Sequence, residues 1–174
     1  MRTLKLGLLS LALLALPGAA HAGGLLAEVS LGSGLRAGLG DVERIPTNLG
    51  VAVGYGFTDM LKLEIGAFAN LGDVQASVSD SGADGFNVDL RGMVVVSPPL
   101  FPLYLRGIVG LTNLKDNSDL TYGGALGLGF GLFGVGAFVE AGAMQRNYQV
   151  TVSPGLTTSE KGWQVEGRVG VSIG

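Results

Sequence analysis

The nearest thing to a catalytic pair in this sequence is Glu140 and Glu166, two acids that fall on the same phase of an alternating pattern. Paired carboxylates can divide general acid and base work when a neighbouring group tunes them. No such neighbour is available: the sole histidine is His21, near the N-terminus, and there is no cysteine. No Ser-His arrangement exists, and a zinc site of Cys/His type is excluded. Asp80-Ser-Gly-Ala-Asp84-Gly and Asp116-Asn-Ser-Asp119 could offer oxygens to Ca²⁺, but they lack the ligand spacing of a calcium loop and read as solvated turns. The glycine runs precede no helix, so they are not phosphate cradles. The sequence therefore predicts no enzyme, no catalytic, cofactor-binding or metal-binding residues, and no cofactor.

A second set of residues has a different chemistry. Glu28, Arg36, Lys62, Glu64, Asp89, Arg91, Arg106, Glu140, Arg146, Glu166 and Arg168 share one phase, six basic and five acidic. All but Lys62, Arg36 and Arg146 fall in a middle belt when counted along their segments. Isolated charges at that depth of an apolar structure are costly, so they should pair. Arg168 is expected beside Glu140 on one side and Glu28 across a closing seam, and Arg91 and Arg106 are expected to flank Glu64. Such a belt is either a structural plug or a gate in which alternative pairings open a narrow water path, and the plug is the simpler reading.

The elements that position these charges are short alternating segments. Gly123–Gln149 is apolar enough for a membrane span, yet it carries eight glycines. Each interior glycine costs a helix about 1 kcal/mol relative to Ala. Alternate residues sort cleanly instead: Tyr122, Gly124, Leu126, Leu128 and Phe130 on one side, Thr121, Gly123, Ala125, Gly127 and Gly129 on the other. After a break at Gly131–Gly134 the alternation resumes from Val135 to Met144. This pair of strands is the sixth and seventh of eight segments. The others are Leu25–Arg36, Thr47–Phe57, Leu61–Asn70, Phe86–Val96, Leu103–Thr112 and Trp163–Ile173. Thr58–Met60, Ser97–Pro102 and Gly131–Gly134 are short connections. Ala37–Pro46, Leu71–Gly85, Asn113–Asp119 and Asn147–Lys161 are longer and polar, and are expected to be loops. An alternation of short turns and long loops is the habit of a transmembrane β-barrel.

Residues 1–22 have a basic start at Arg2 and Lys5, an apolar run Leu6–Leu16 and an Ala20-His21-Ala22 cleavage form, which together read as a cleaved secretory signal peptide. The remaining domain, 23–174, would hold nine basic and fourteen acidic residues, a net charge of −5. That balance argues against nucleic acid as a partner.

One face of every segment is nearly pure Leu, Val, Ile, Ala and Gly; the other mixes Gly, Ser and Asn with the charges. Eight strands enclose only enough room for side chains. Eight faces of Leu and Val would overfill that space, so the apolar face should point to lipid. Aromatic placement is a separate indication. Tyr55, Phe57, Phe101, Phe130 and Phe133 would ring the short-turn end, and Phe86, Tyr122, Tyr148 and Trp163 the other, as membrane interfaces favour. Phe68, Tyr104 and Phe138 have interior phase.

The eight alternating segments, the loop asymmetry, the aromatic belts and the leader resemble the small OmpA/OmpX-type outer-membrane barrels. Gly54-Tyr55-Gly56-Phe57-Thr58-Asp59 is similar to the end of a strand entering a periplasmic turn. The resemblance implies an all-β, eight-stranded antiparallel up-and-down transmembrane barrel in the outer membrane of a Gram-negative bacterium. It also implies contact with outer-membrane lipid and the insertion machinery, and a monomer is expected. The chain departs from such barrels at its end, Val169–Gly174, which has the alternation without a final aromatic. The functional expectation is a structural or surface-interaction role with a plugged interior, no surface partner being named by the residues. The alternative is a narrow, porin-like pore for ions or small solutes. A lipid-modifying enzyme is disfavoured by the missing imidazole.

Overall fold

The computed structural model describes residues 23–38, 41–70, 87–99, 101–112, 114, 119–153 and 156–174, with side chains outside the description at 36–46, 70, 87, 119 and 147–160. Eight strands follow in chain order: β1 (Gly24–Gly38), β2 (Asp41–Gly56), β3 (Leu61–Asn70), β4 (Asn87–Val96), β5 (Leu103–Thr112), β6 (Asp119–Leu132), β7 (Val135–Ser153) and β8 (Leu156–Ile173). Each pairs antiparallel with its chain neighbours, and β1 pairs with β8, so the sheet is a closed up-and-down barrel without free edges along its common height. Among the described residues no helix is long and apolar enough to cross a membrane. The expected leader, 1–22, lies outside the described residues.

The register fixes the shape of the barrel. From Val29, the row of partners runs through Val51, Ala67, Leu90 and Leu111 to Leu120 on β6. In the other direction it runs through Val171 and Ala137 to Phe130 on the same strand. The two arrivals differ by ten residues, 130 minus 120, which is the shear of the barrel. With a rise of about 3.3 Å per residue and a strand spacing of about 4.8 Å, that shear tilts the strands by about 40°. The ten-residue strands β3, β4 and β5 then rise roughly 25 Å along the axis, matching an apolar band of about 25 Å. The nineteen residues of β7 rise roughly 48 Å.

This height difference corrects the expected loops. Ala37–Pro46 and Asn147–Lys161 are largely strand: Asp41–Ile45 pairs back onto Gly34–Gly38, and Arg146–Ser153 onto Leu156–Gly162. Apolar alternation stops where the lipid band would stop, because polar side chains are tolerated above it. The hydrogen-bond ladder has no reason to stop there. Pro46, expected in a loop, lies instead where β2 carries one extra residue against β1, between Ile45 and Asn48, a place that tolerates a residue without an N–H. At the opposite end β6 and β7 join through a two-residue turn. Phe133 (φ 53°) and Gly134 (φ 79°) both take the left-handed conformation that matches hairpin twist.

The outward face is Leu, Val and Ile on every strand, all substantially exposed on the isolated chain. Inward positions of β2 are Asn48, Gly50, Ala52, Gly54 and Gly56; those of β6 are Thr121, Gly123, Ala125, Gly127 and Gly129. These two strands supply almost no bulk and leave the lumen to side chains from the other six. The interior aromatics use that space directly. Phe68 lies opposite Gly50, Tyr104 opposite Gly127, and Phe138 opposite Gly129 and Gly170. A methyl group built on Gly50, Gly127 or Gly170 would stand 2.2–2.5 Å from the facing ring.

Candidate functional site

Glu28, Glu64, Asp89, Arg91, Arg106, Glu140, Glu166 and Arg168 all project into the lumen, where they join in one connected network with Arg146. The alternation places them there: each occupies the phase opposite the Leu/Val face of its strand. The network has two tiers.

In the lower tier, near the short turns, Arg106 on β5 reaches three strands. Its Nη2 donates to both oxygens of Glu28 on β1 at 3.1 and 3.0 Å. Its Nη1 stands 3.4 Å from Glu64 on β3, and its Nε 3.3 Å from Glu140 on β7. Tyr104 donates its hydroxyl to Glu140 at 2.8 Å. In the upper tier, Arg146 donates to both oxygens of Asp89 at 2.8 and 2.9 Å and to Gln164 at 2.6 Å. Arg91 lies 3.3 Å from both Asp89 and Glu166. Gln164 donates to Glu166 at 2.9 Å. Arg168 links the tiers, with Nη2 donating to Glu166 at 2.7 Å and Nη1 at 3.2 Å from Glu140. Phe68 supports the junction: the guanidinium carbons of Arg91 and Arg168 sit 4.3 and 4.4 Å from its ring centroid.

Three expected placements are corrected. Glu28 does not meet Arg168: across the seam it faces Ser172, while Arg168 faces Gly32, so Glu28 turns to Arg106 instead. Arg91 does not flank Glu64, because Glu64 faces Met93 and Arg91 faces Gly66 two positions higher. Arg146, set outside the middle belt by counting residues, belongs to the network, since a long guanidinium side chain spans the level difference to Asp89. Lys62 is half-buried at the lower end, and the side chain of Arg36 lies outside the described residues. Gln164 and Tyr104 are the members that charge alone did not reveal. Their signal was inward phase beside Glu166 and Arg106.

The aromatics sort by end. Tyr55, Phe57, Phe101 and Phe133 are exposed toward the short-turn end, Phe133 at 95%, with Phe130 half-buried among them. Tyr55 and Phe57 meet edge to face at 5.2 Å. Tyr122 and Trp163 are exposed at the other end on one row through Gln145, and the Tyr122 hydroxyl donates to the Gln145 side chain. Phe86 lies outside the described residues, as do the side chains of Tyr148 and Asp119 and the acidic loop stretches 80–85 and 116–118.

The network divides the lumen. Around Glu140, Glu166 and Arg168 the space left is about 10 Å³, room for one water at most. Below Arg106 a cavity of about 380 Å³ opens toward the short turns.

No family model matches this sequence, and no curated protein matches it. Six chains among solved structures do match, one being the crystal structure of Neisserial surface protein A. The likeness has a TM-score of 0.58 at 10% identity and covers 88% of this chain and 99% of that one. It is a likeness of fold: the closed, all-β, eight-stranded antiparallel barrel.

Proposed function

We propose that this chain is exported, loses residues 1–22, and resides as a monomeric integral barrel in the outer membrane of a Gram-negative bacterium. There it serves a structural or surface-interaction role. The observation that carries the reading is the combination of an outward apolar band with a lumen bridged by four arginines and five carboxylates, Arg91, Arg106, Arg146 and Arg168 with Glu28, Glu64, Asp89, Glu140 and Glu166. A lumen so filled holds the wall together and conducts nothing. Its lipid-facing surface contacts outer-membrane lipid, and its insertion requires the assembly machinery. The tall hairpins β1–β2 and β7–β8 face outward, and the short turns face the periplasm. The likeness of fold to Neisserial surface protein A supports the surface role.

Location and orientation are tested together by cysteine labelling, which the cysteine-free chain makes clean. A membrane-impermeant maleimide on intact cells should label Thr151→Cys in the tall hairpin and leave Thr58→Cys in a short turn unlabelled. Labelling in the reverse sense, or release of the protein by osmotic shock, would overturn the reading. The rival is a narrow pore, favoured by the open cavity on one side of the network, and electrical recording separates the two.

A further inference from the structure

The cavity below Arg106 has the size and lining of a ligand site rather than of a packing defect. Its volume, about 380 Å³, lies within the range of about 300–1,000 Å³ typical of small-molecule pockets. Leu26, Val95, Tyr104 and Phe138 line its walls. The rim includes Pro98, Pro99 and Pro102, whose fixed φ angles hold the mouth in shape without a ligand.

The roof is polar and short of positive charge. Glu28, Glu64 and Arg106 form it. Arg106 is shared among three carboxylates, since Glu28, Glu64 and Glu140 all lie within 3.4 Å of its nitrogens. Glu64 is 6% exposed and lines the cavity, and its Oε2 meets Arg106 Nη1 only at 3.4 Å, longer than a charge-assisted hydrogen bond. Among the described residues of the network five carboxylates face four arginines, and the surplus falls on the cavity side. Lys62 and Asp59 also line the cavity and cancel in charge. Lys62 stands two residues from Glu64 on the same strand face, close enough to compete for it. Tyr104 and Phe138 already present their rings to a cation, the Arg106 guanidinium carbon lying 5.5 Å from each centroid.

We propose that this cavity binds a small organic monocation, an ammonium on a compact aromatic or apolar body. The ammonium donates to Glu64 and Glu28, and the body packs against Tyr104 and Phe138. A charge-assisted donor gives the two carboxylates a partner besides the Arg106 they share. An anion meets the surplus of carboxylates, and a neutral analogue leaves the roof uncompensated. That the cavity faces the periplasm rests on the proposed outer-membrane orientation; the binding itself does not.

The test uses the folded barrel in lipid nanodiscs, with the cavity open to solvent. Benzylammonium, benzyl alcohol and benzoate are titrated at matched ionic strength while backbone amide NMR shifts are followed. Benzylammonium should give saturable shifts at Glu64, Tyr104 and Phe138, and bind roughly tenfold more tightly than either analogue, the scale of one charge-assisted bond. Glu64→Gln should weaken it by a similar factor. Lys62→Gln, which removes the competing ammonium, should tighten it, and this variant carries the test alone if Glu64→Gln does not fold. Equal binding of benzoate or benzyl alcohol, shifts that do not saturate, or weaker binding by Lys62→Gln would each overturn the proposal.

Discussion

Arg106→Met is the most damaging single change the network allows, and it should cost more than Arg168→Met. Both arginines are nearly fully buried, with side chains 2% and 3% exposed, so desolvation alone does not rank them. Their partners do. Removing Arg106 leaves Glu28 and Glu64 without any ion pair among the described residues, and leaves Glu140 with Arg168 and the Tyr104 hydroxyl. Stranding buried charge in this way costs about 3–5 kcal/mol, toward the lower end here because water in the cavity can reach Glu28. Removing Arg168 strands nothing. Glu166 keeps Arg91 and Gln164, and Glu140 keeps Arg106 and Tyr104. Its loss should therefore cost about 1–3 kcal/mol.

The pairing itself is measured by double-mutant cycles. Arg168→Met with Glu140→Gln should show a coupling of about 0.5–3 kcal/mol, because the two side chains touch. Arg168→Met with Glu28→Gln should be additive within about 0.5 kcal/mol, because the seam places Glu28 opposite Ser172 and not Arg168. The assay is urea unfolding in lipid vesicles, followed by the fluorescence of Trp163, the only tryptophan. If Arg168→Met costs as much as Arg106→Met, or the Glu28 cycle couples as strongly as the Glu140 cycle, the two-tier arrangement is wrong.

Phe68→Leu removes the ring that two guanidinium groups share, and should destabilise by about 1–4 kcal/mol, two cation–π contacts at roughly 0.5–2 kcal/mol each, in the same unfolding assay. Gly127→Ala places a methyl 2.2 Å from the Tyr104 ring and should cost about 1–3 kcal/mol. Tyr104→Leu in that background should recover part of the loss, and a cost that the second change leaves untouched would refute the steric account. Trp163 should be quenched by bromine carried near the lipid headgroup and spared by bromine at the chain ends, as an interfacial aromatic is; quenching in the reverse order would remove it from the belt.

The fold was legible because an apolar outward face imposes period two on every strand that carries it, as in Leu103–Thr112, whose expected bounds and observed bounds coincide. The tall hairpins were not legible, because above the apolar band no rule constrains the outward face. Asp41–Pro46 and Leu156–Lys161 carry polar residues on both phases, and in Asn147–Ser153 the phase that is apolar lower on the strand turns polar at Asn147, Gln149, Thr151 and Ser153, so these strands look like loops. The membership of the network followed from inward phase. Its pairings did not, because partners depend on shear: a ten-residue offset carries Glu28 to Arg106 across the lumen, whereas adjacency along the seam suggested Arg168. Phe68, Tyr104 and Phe138 stood out as aromatics of the wrong phase. Their meaning was in the strands beside them, where glycine leaves room for each ring.

Planar-bilayer recording of the purified barrel tests the central claim, that the ion-pair network closes the lumen, most directly. The wild-type protein should insert, as judged by protease-resistant, heat-modifiable barrel in the same preparation, and remain electrically silent at neutral pH. The Arg106→Ala/Arg168→Ala variant, which removes the centre of the lower tier and the link to the upper one, should admit ions in resolved steps. Steady, resolved conductance from the wild-type barrel would contradict the account and make the narrow pore the correct reading.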